Sequence, residues 1–109
     1  MNALFCLCAC PDDATAGRIA EVLVGERLAA CVQVLPGVTS VYRWQGKVER
    51  TRETLLLVKT ARDRFDAMAA RITELHPYEV PEVVAADIVA GLPAYLDWVA
   101  RETAPEPKP

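Results

Sequence analysis

The chain has 109 residues, of which 52% are hydrophobic and 25% are charged, an ordinary balance for one globular domain. Its 12 Lys and Arg against 15 Asp and Glu give a net charge of −3, which does not attract phosphate backbones, so we expect no nucleic-acid partner. The longest apolar run, residues 3–10, is far shorter than the roughly 20 residues that span a bilayer, and no Lys or Arg precedes it as in a signal peptide. We therefore expect a cytoplasmic protein with no membrane partner.

The first elements predicted are a strand and a helix. Residues 3–10 are an apolar run of strand length, typical of a central strand covered on both faces, and Pro11 ends it. Asp12 and Asp13 offer N-capping oxygens, and apolar residues then recur at the spacing of a buried helix face. This pattern predicts a helix over residues 13–28.

A long hairpin follows the first helix. Residues 31–44 indicate one strand bent at Pro36-Gly37, and Gln45-Gly46 forms a short turn into a second strand over residues 47–59. Such strands span roughly 40 Å at about 3.3 Å per residue, whereas a compact chain of about 100 residues has a radius of gyration near 13 Å. We expect the hairpin to overhang its domain and add strands between subunits of a closed ring, unless the bend holds it on its own core.

The second half of the chain predicts a helix, a strand and a final helix. Apolar residues mark one face of a helix that ends at His76-Pro77, and residues 83–89 form another apolar strand. Pro93 begins a last helix that ends near Thr103. The tail, residues 104–109, alternates proline with charge and is expected to be disordered.

The element order predicts the fold class. Strand, helix, strand, strand, helix, strand is the βαββαβ arrangement of a ferredoxin-like α+β sandwich, here with an extra C-terminal helix. Residues 1–103 would form this single domain. The two main helices would cover one sheet face, yet the first and fourth strands are apolar along their length, so something must cover the other face.

Four cysteines, Cys6, Cys8, Cys10 and Cys31, do not form the pattern of a disulfide framework, because three alternate along one strand. The Cys-x-Cys-x-Cys spacing also differs from the Cys-x-x-Cys of a zinc knuckle. Reduced, buried thiols are the expectation, with Cys8 as the exception considered below.

The connector between the second helix and the fourth strand contains several residues that could bind a ligand. It runs His76-Pro77-Tyr78-Glu79-Val80-Pro81-Glu82 and contains the only histidine of the sequence. Each proline fixes its own φ and pushes the preceding residue toward extended geometry, so the connector should be stiff. It either holds side chains ready for a ligand, or Pro77 simply stops the helix while His76 bonds a helix-end carbonyl and Tyr78 packs.

A series of segments spread over nearly the whole chain matches one family in order and spacing: Glu26-Arg27-Leu28-Ala29-Ala30-Cys31-Val32, Pro36-Gly37, Ser40-Val41-Tyr42, Trp44-Gln45-Gly46-Lys47, Leu55-Leu56-Leu57-Val58-Lys59-Thr60, the connector, and Tyr95-Leu96-Asp97-Trp98. With them the chain resembles the CutA divalent-cation tolerance proteins. The resemblance implies a ferredoxin-like fold and a PII-like homotrimer joined through long β-hairpin arms. It implies tolerance to divalent cations, copper especially, and no established catalytic reaction.

The resemblance also implies candidate metal ligands. Copper binding in the family is associated with the histidine before the Pro-Tyr pair and with a first-strand cysteine, which by position are His76 and Cys8. Glu79 or Glu82 would add a carboxylate, and the ion would be Cu(II) or another divalent cation such as zinc. Some members carry two adjacent histidines where this chain has Leu75-His76, so we expect weak binding unless three subunits share a site.

Three other hypotheses remain at this stage. A PII-like sensing or scaffold trimer would hold a small molecule or a partner protein in clefts between subunits, lined by Tyr42, Trp44, Lys59, Tyr78 and Trp98 with His76 and Glu82. An enzyme would use His76 as general base with Glu79 or Glu82, although local spacing does not aim these groups at one atom. In a structural protein the aromatic side chains would only pack around the trimer.

Overall fold

The computed structural model describes residues 2–106. Within them the chain forms β1 (Ala3–Cys10), α1 (Asp13–Gly25), β2 (Cys31–Trp44), β3 (Lys47–Ala61), a 3₁₀ turn (Arg62–Arg64), α2 (Phe65–Leu75), β4 (Val84–Asp87) and α3 (Pro93–Thr103). The strands of this part pair antiparallel in the order β2-β3-β1-β4. This is the ferredoxin-like order, so the predicted α+β class with an added C-terminal helix is confirmed.

The hydrophobic core lies between the sheet and the first two helices. Successive strand side chains point to opposite faces, so alternate residues of β1 and β3 point toward the helices. Apolar residues at helical spacing on α1 and α2 pack against these strand side chains. The core comprises Leu4, Cys6, Cys8, Cys10, Leu56 and Val58 from the sheet, and Ala16, Ile19, Ala20, Leu23, Met68 and Ile72 from the helices. The prediction that both main helices cover one sheet face is thereby confirmed.

Helix α1 begins where its cap was predicted and ends earlier. The Asp12 carboxylate accepts a hydrogen bond from the Thr15 N–H at 2.8 Å, and this bond lowers the pKa of Asp12. The predicted end at Leu28 is wrong, because the helix ends at Gly25. Arg27 adopts a left-handed φ of 60°, which reverses the chain and returns Leu28 to the core as its N–H bonds the carbonyl of Leu23 at 2.9 Å.

Strand β4 is shorter than predicted. It was expected over residues 83–89, and it pairs over Val84–Asp87 with residues 4–7 of β1. One further backbone bond joins Ile88 to Ala3 at 3.0 Å. β1 begins at Ala3, so the chain beyond Ile88 has passed the end of its partner strand, and Val89 is 93% exposed.

The hairpin is one continuous ladder with a bulge at the predicted bend. Leu35 pairs with Leu55 and Val38 with Glu53, so two residues of β2, Pro36 and Gly37, lie opposite one residue of β3. The turn has positive φ at both central residues, 51° at Gln45 and 80° at Gly46, as in turns that match the strand twist. The bulge does not fold the arm onto the core.

The arm and the second sheet face leave apolar side chains uncovered. Val41 and Val48, near the tip of the hairpin, are 60% and 68% exposed. On the face opposite the helices lie alternate residues such as Leu57 and Val84, and Val84 is 51% exposed. The molecule is 48 Å long with a radius of gyration of 14.7 Å, which reflects the overhanging arm.

The tail was predicted to be extended and disordered over residues 104–109. Ala104 is extended, with φ −65° and ψ 139°, and its carbonyl accepts a hydrogen bond from the Arg27 Nε at 2.6 Å. Residues 107–109 lie outside the described residues, and disorder of the tail stays a prediction. Along residues 2–106, no helix has the length and apolar character needed to cross a membrane.

Two glycine substitutions test the backbone account, with opposite expected signs. Gly37 has φ 73°, and a Cβ there would lie 2.9 Å from a guanidinium nitrogen of Arg52, so Gly37→Ala should lower the free energy of unfolding by about 1 kcal/mol or more. Gly17 lies inside α1, and no atom of the described structure lies within 4 Å of a Cβ built there. Gly17→Ala should therefore raise the free energy of unfolding by about 0.5–1 kcal/mol. Urea unfolding measures both, and equal effects would contradict the left-handed bulge.

Candidate functional site

The connector is anchored to β1 through the side chain of His76. His76 ends α2 with its backbone N–H on the Ile72 carbonyl at 2.8 Å, and Pro77 prevents the helix from continuing. β4 pairs with β1 only as far as Leu7, so it leaves the Ala9 carbonyl on that edge without a strand partner. The His76 Nε2 lies 2.7 Å from that carbonyl oxygen. The imidazole therefore supplies the hydrogen bond that a backbone N–H of a paired strand would otherwise give to the Ala9 carbonyl.

Both ring nitrogens of His76 have partners. Nδ1 accepts a hydrogen bond from the Tyr78 N–H at 3.1 Å, so Nε2 carries the proton and donates to Ala9. The ring is buried and lies 4.6 Å from the Tyr78 ring, centroid to centroid. The sequence predicted that His76 bonds a carbonyl at a helix end. That prediction is wrong, because the carbonyl that it bonds is that of Ala9 in strand β1. The ring is a neutral imidazole held in one tautomer.

Two cysteines face the His76 ring. Cys8 and Cys10 are two residues apart on β1, so their side chains lie on the same face. One ligand atom each from Cys8, Cys10 and His76 lie within 4.8 Å of one another, and all three residues are buried. Within residues 2–106, no other group of three or more His, Cys, Asp or Glu side chains brings its ligand atoms close enough together to hold a metal ion. We call it the Cys-Cys-His cluster.

The two thiols of the cluster act on each other's pKa. The neighbouring Cys10 thiol and then burial raise the pKa of Cys8 far above its ordinary value, and the Cys8 thiol lowers the pKa of Cys10. The neighbouring carboxylates of Glu82 and Glu53 raise the pKa of Cys8 further. Burial also raises the pKa of Cys6, on the same strand, to about 11. The Cys6 and Cys8 thiols are therefore protonated at neutral pH, and a metal ion at Cys8 has to replace a proton.

The predicted metal ligands are divided by the structure. His76 and Cys8 come together, whereas Glu79 and Glu82 lie outside the Cys-Cys-His cluster and line a neighbouring cavity. Cys10 was not predicted as a ligand, although its spacing from Cys8 placed both thiols on one strand face. All four cysteines, each within the described residues, are free thiols, as expected.

The predicted cleft residues are divided as well. Tyr42, Trp44 and Tyr78 line one cavity of about 580 Å³, which we call the aromatic cavity. Lys59 and Trp98 are not among its lining residues. The Lys59 ammonium donates to the Gln33 side chain, and the Trp98 ring centroid lies 5.6 Å from that of Tyr95.

Glu53 is a residue of this cavity that was not predicted as a site residue. It is only 7% exposed, and its carboxylate accepts a hydrogen bond from the Tyr78 hydroxyl at 2.7 Å. Burial and then this bond raise the pKa of Tyr78, which keeps the hydroxyl protonated as a donor. The sequence does contain a signal for Glu53, because this charged residue lies in a strand that continues into the apolar run of residues 55–58, where a charge is unusual.

Comparison with known proteins places the chain in a family. The model of the CutA1 divalent ion tolerance protein family matches residues 4–102. The chain belongs to this family. It is 52% identical over 93 residues to the divalent-cation tolerance protein CutA of Thermus thermophilus, an alignment that covers 85% of this chain and 90% of that protein.

Solved structures of CutA proteins share the fold. The crystal structure of CutA from Xylella fastidiosa superposes with a TM-score of 0.93 at 46% identity, covering 95% of this chain and 100% of that one. A CutA structure from Archaeoglobus fulgidus, described as periplasmic, gives a TM-score of 0.91 at 32% identity, covering 94% and 99% of the two chains. Family names of this kind indicate a tolerance protein rather than a named enzyme. The expected CutA resemblance is confirmed.

The hydrogen bonds of His76 predict a cost for removing it even without metal. His76→Ala would leave the buried Ala9 carbonyl and the Tyr78 N–H without their partner, which should lower the free energy of unfolding by about 1–3 kcal/mol. Chemical unfolding in buffer with a chelator measures this. The control Thr73→Ala, at an exposed position of α2, should stay within about 0.5 kcal/mol of wild type. Equal stability of His76→Ala and wild type would contradict the structural role of the ring.

Proposed function

We propose that this chain serves divalent-cation tolerance by binding a thiophilic metal ion at the Cys-Cys-His cluster. The observation that carries the proposal is the convergence of Cys8, Cys10 and His76 within 4.8 Å. Thiolate and imidazole donors suit zinc and copper far better than magnesium or calcium. Three protein donors leave a fourth coordination position for water or another ligand.

The cluster must release protons and one hydrogen bond to take a metal. Both thiols have to ionise, and one ring nitrogen of His76 has to exchange its hydrogen bond for the ion. Glu53 and Glu82 lower the cost of bringing in a cation, because the negative field that raises the pKa of Cys8 also attracts positive charge. The net affinity should be modest and should fall as the pH falls.

The proposed activity is binding rather than catalysis. A general base needs a free lone pair near its substrate, and the lone pair of His76 is engaged by the Tyr78 N–H. We also propose the cytoplasm as the location, because four free cysteines persist in a reducing compartment.

Zinc titration tests the metal proposal, since Zn(II) does not oxidise thiols. Reduced wild-type protein should bind about one Zn(II) per chain in isothermal titration calorimetry at pH 8. The affinity should be at least about tenfold weaker at pH 6, because protons compete for Cys8 and Cys10.

Cysteine variants make that titration specific. Cys8→Ser and Cys10→Ser should each weaken Zn(II) binding by about tenfold or more, since each removes a thiolate donor. Cys6→Ser is the matched control, because Cys6 is equally buried on the same strand but lies outside the cluster. Zinc binding that survives in the Cys8→Ser, Cys10→Ser double variant would contradict the proposal.

We propose further that the protein is a homotrimer joined through the β2-β3 arms. The arm extends beyond the domain, and Val48 near its tip is 68% exposed among charged neighbours, a composition typical of interfaces. The sheet face opposite the helices carries the apolar side chains of Leu57 and Val84. A second copy of the chain would cover both surfaces and pair the free strand edges.

A pair of lysine substitutions tests the trimer. Light scattering should give about 36 kDa for wild type, three times the 11.9 kDa chain. Val84→Lys places a charge on the open sheet face and should shift the mass toward the monomer. Val24→Lys is the matched control, since Val24 is a similarly exposed valine of α1 at 44%. A wild-type mass of one chain would overturn the trimer.

A further inference from the structure

The aromatic cavity has a composition that the Cys-Cys-His cluster does not explain. Tyr42 and Trp44 form its side along the arm, and Tyr78 forms its side along the connector. Its acidic lining residues are Glu53, Glu79 and Glu82, and neither lysine nor arginine is among the lining residues. Its volume of about 580 Å³ falls in the range of small-molecule sites.

Glu53 is a buried carboxylate without a positive partner in the described chain. It is 7% exposed and accepts one hydrogen bond, from the Tyr78 hydroxyl to its Oε2. The ion pairs found in residues 2–106 use other carboxylates, those of Glu26, Glu74, Asp87 and Glu106. A buried charge of this kind is costly unless a cation or further donors approach it. The remaining carboxylate oxygen is available for such a group.

The arrangement of the carboxylates disfavours a metal ion here. Divalent cations such as Ca²⁺ and Mg²⁺ need several oxygen atoms that converge on one point. Glu53, Glu79 and Glu82 do not form such a group, since the converging set in the described part of the chain is the Cys-Cys-His cluster. Negative charge spread around an aromatic wall suits a larger cation instead.

Aromatic rings and a buried carboxylate together favour an organic cation. Ring faces attract ammonium groups electrostatically, and the flat surfaces of tyrosine and tryptophan pack against alkyl chains. We propose that the aromatic cavity binds an alkylammonium ion. The ammonium N–H groups donate to the Glu53 carboxylate while the alkyl part lies against Tyr42 and Trp44. This site is separate from the metal cluster, and either proposal can fail without the other.

Tryptophan fluorescence tests this site directly. The sequence has two tryptophans, so a Trp98→Phe background leaves Trp44 as the reporter in the cavity wall. n-Butylammonium chloride should change the Trp44 emission saturably, at roughly millimolar concentration for so small a ligand. n-Butanol, the neutral analogue, and sodium chloride at equal ionic strength should not.

Charge variants make the test specific. Glu53→Gln keeps an acceptor for the Tyr78 hydroxyl and should weaken n-butylammonium binding by about tenfold or more. Glu21→Gln changes the net charge equally at an exposed position of α1 and should bind as wild type does. Equal binding of n-butanol, no effect of Glu53→Gln, or displacement of n-butylammonium by Mg²⁺ would each overturn the proposal. So would a changed oligomeric mass in Glu53→Gln, since Glu53 would then pair with another copy of the chain.

Discussion

The hydrogen bonds of the His76 imidazole hold the functional region together. Nε2 donates to the Ala9 carbonyl where β4 has stopped pairing with β1, and Nδ1 receives the Tyr78 N–H. A sheet edge and a proline-stiffened connector are thus joined by one buried ring. Without it, the buried Ala9 carbonyl and the Tyr78 N–H would each lose a hydrogen-bond partner. The ring therefore sets the geometry on both of its sides.

Two sites of different chemistry adjoin this ring. The Cys-Cys-His cluster offers sulfur and nitrogen donors in the core, and the aromatic cavity offers carboxylates and aromatic faces near the surface. Tyr78 connects them, since its N–H bonds His76 and its hydroxyl bonds Glu53. The carboxylates of Glu53 and Glu82 also act on the Cys8 thiol through their charge. Both sites are therefore suited to positive charge, one to a metal ion and the other to an organic cation.

Much of the fold could be predicted from the sequence because local patterns and the final packing agree. Periodicity gave the helix over Phe65–Leu75, and Pro36-Gly37 marked the bulge in the hairpin. The end of α1 could not be predicted, because a left-handed Arg27 has no distinctive local signal. The sites were predicted less well. Cys10 and Glu53 acquire their partners from His76 and Tyr78, which are distant in sequence, so only the folded chain reveals them.

Cys8, Cys10 and His76 converge as the metal site that we propose. X-ray absorption spectroscopy of the zinc-loaded wild-type protein at the zinc edge tests it most directly, because it reports the atoms bound to the ion. We expect two sulfur ligands at about 2.3 Å and one imidazole nitrogen at about 2.0–2.1 Å. A first shell of oxygen and nitrogen atoms without sulfur would contradict it and would move the metal away from the first strand.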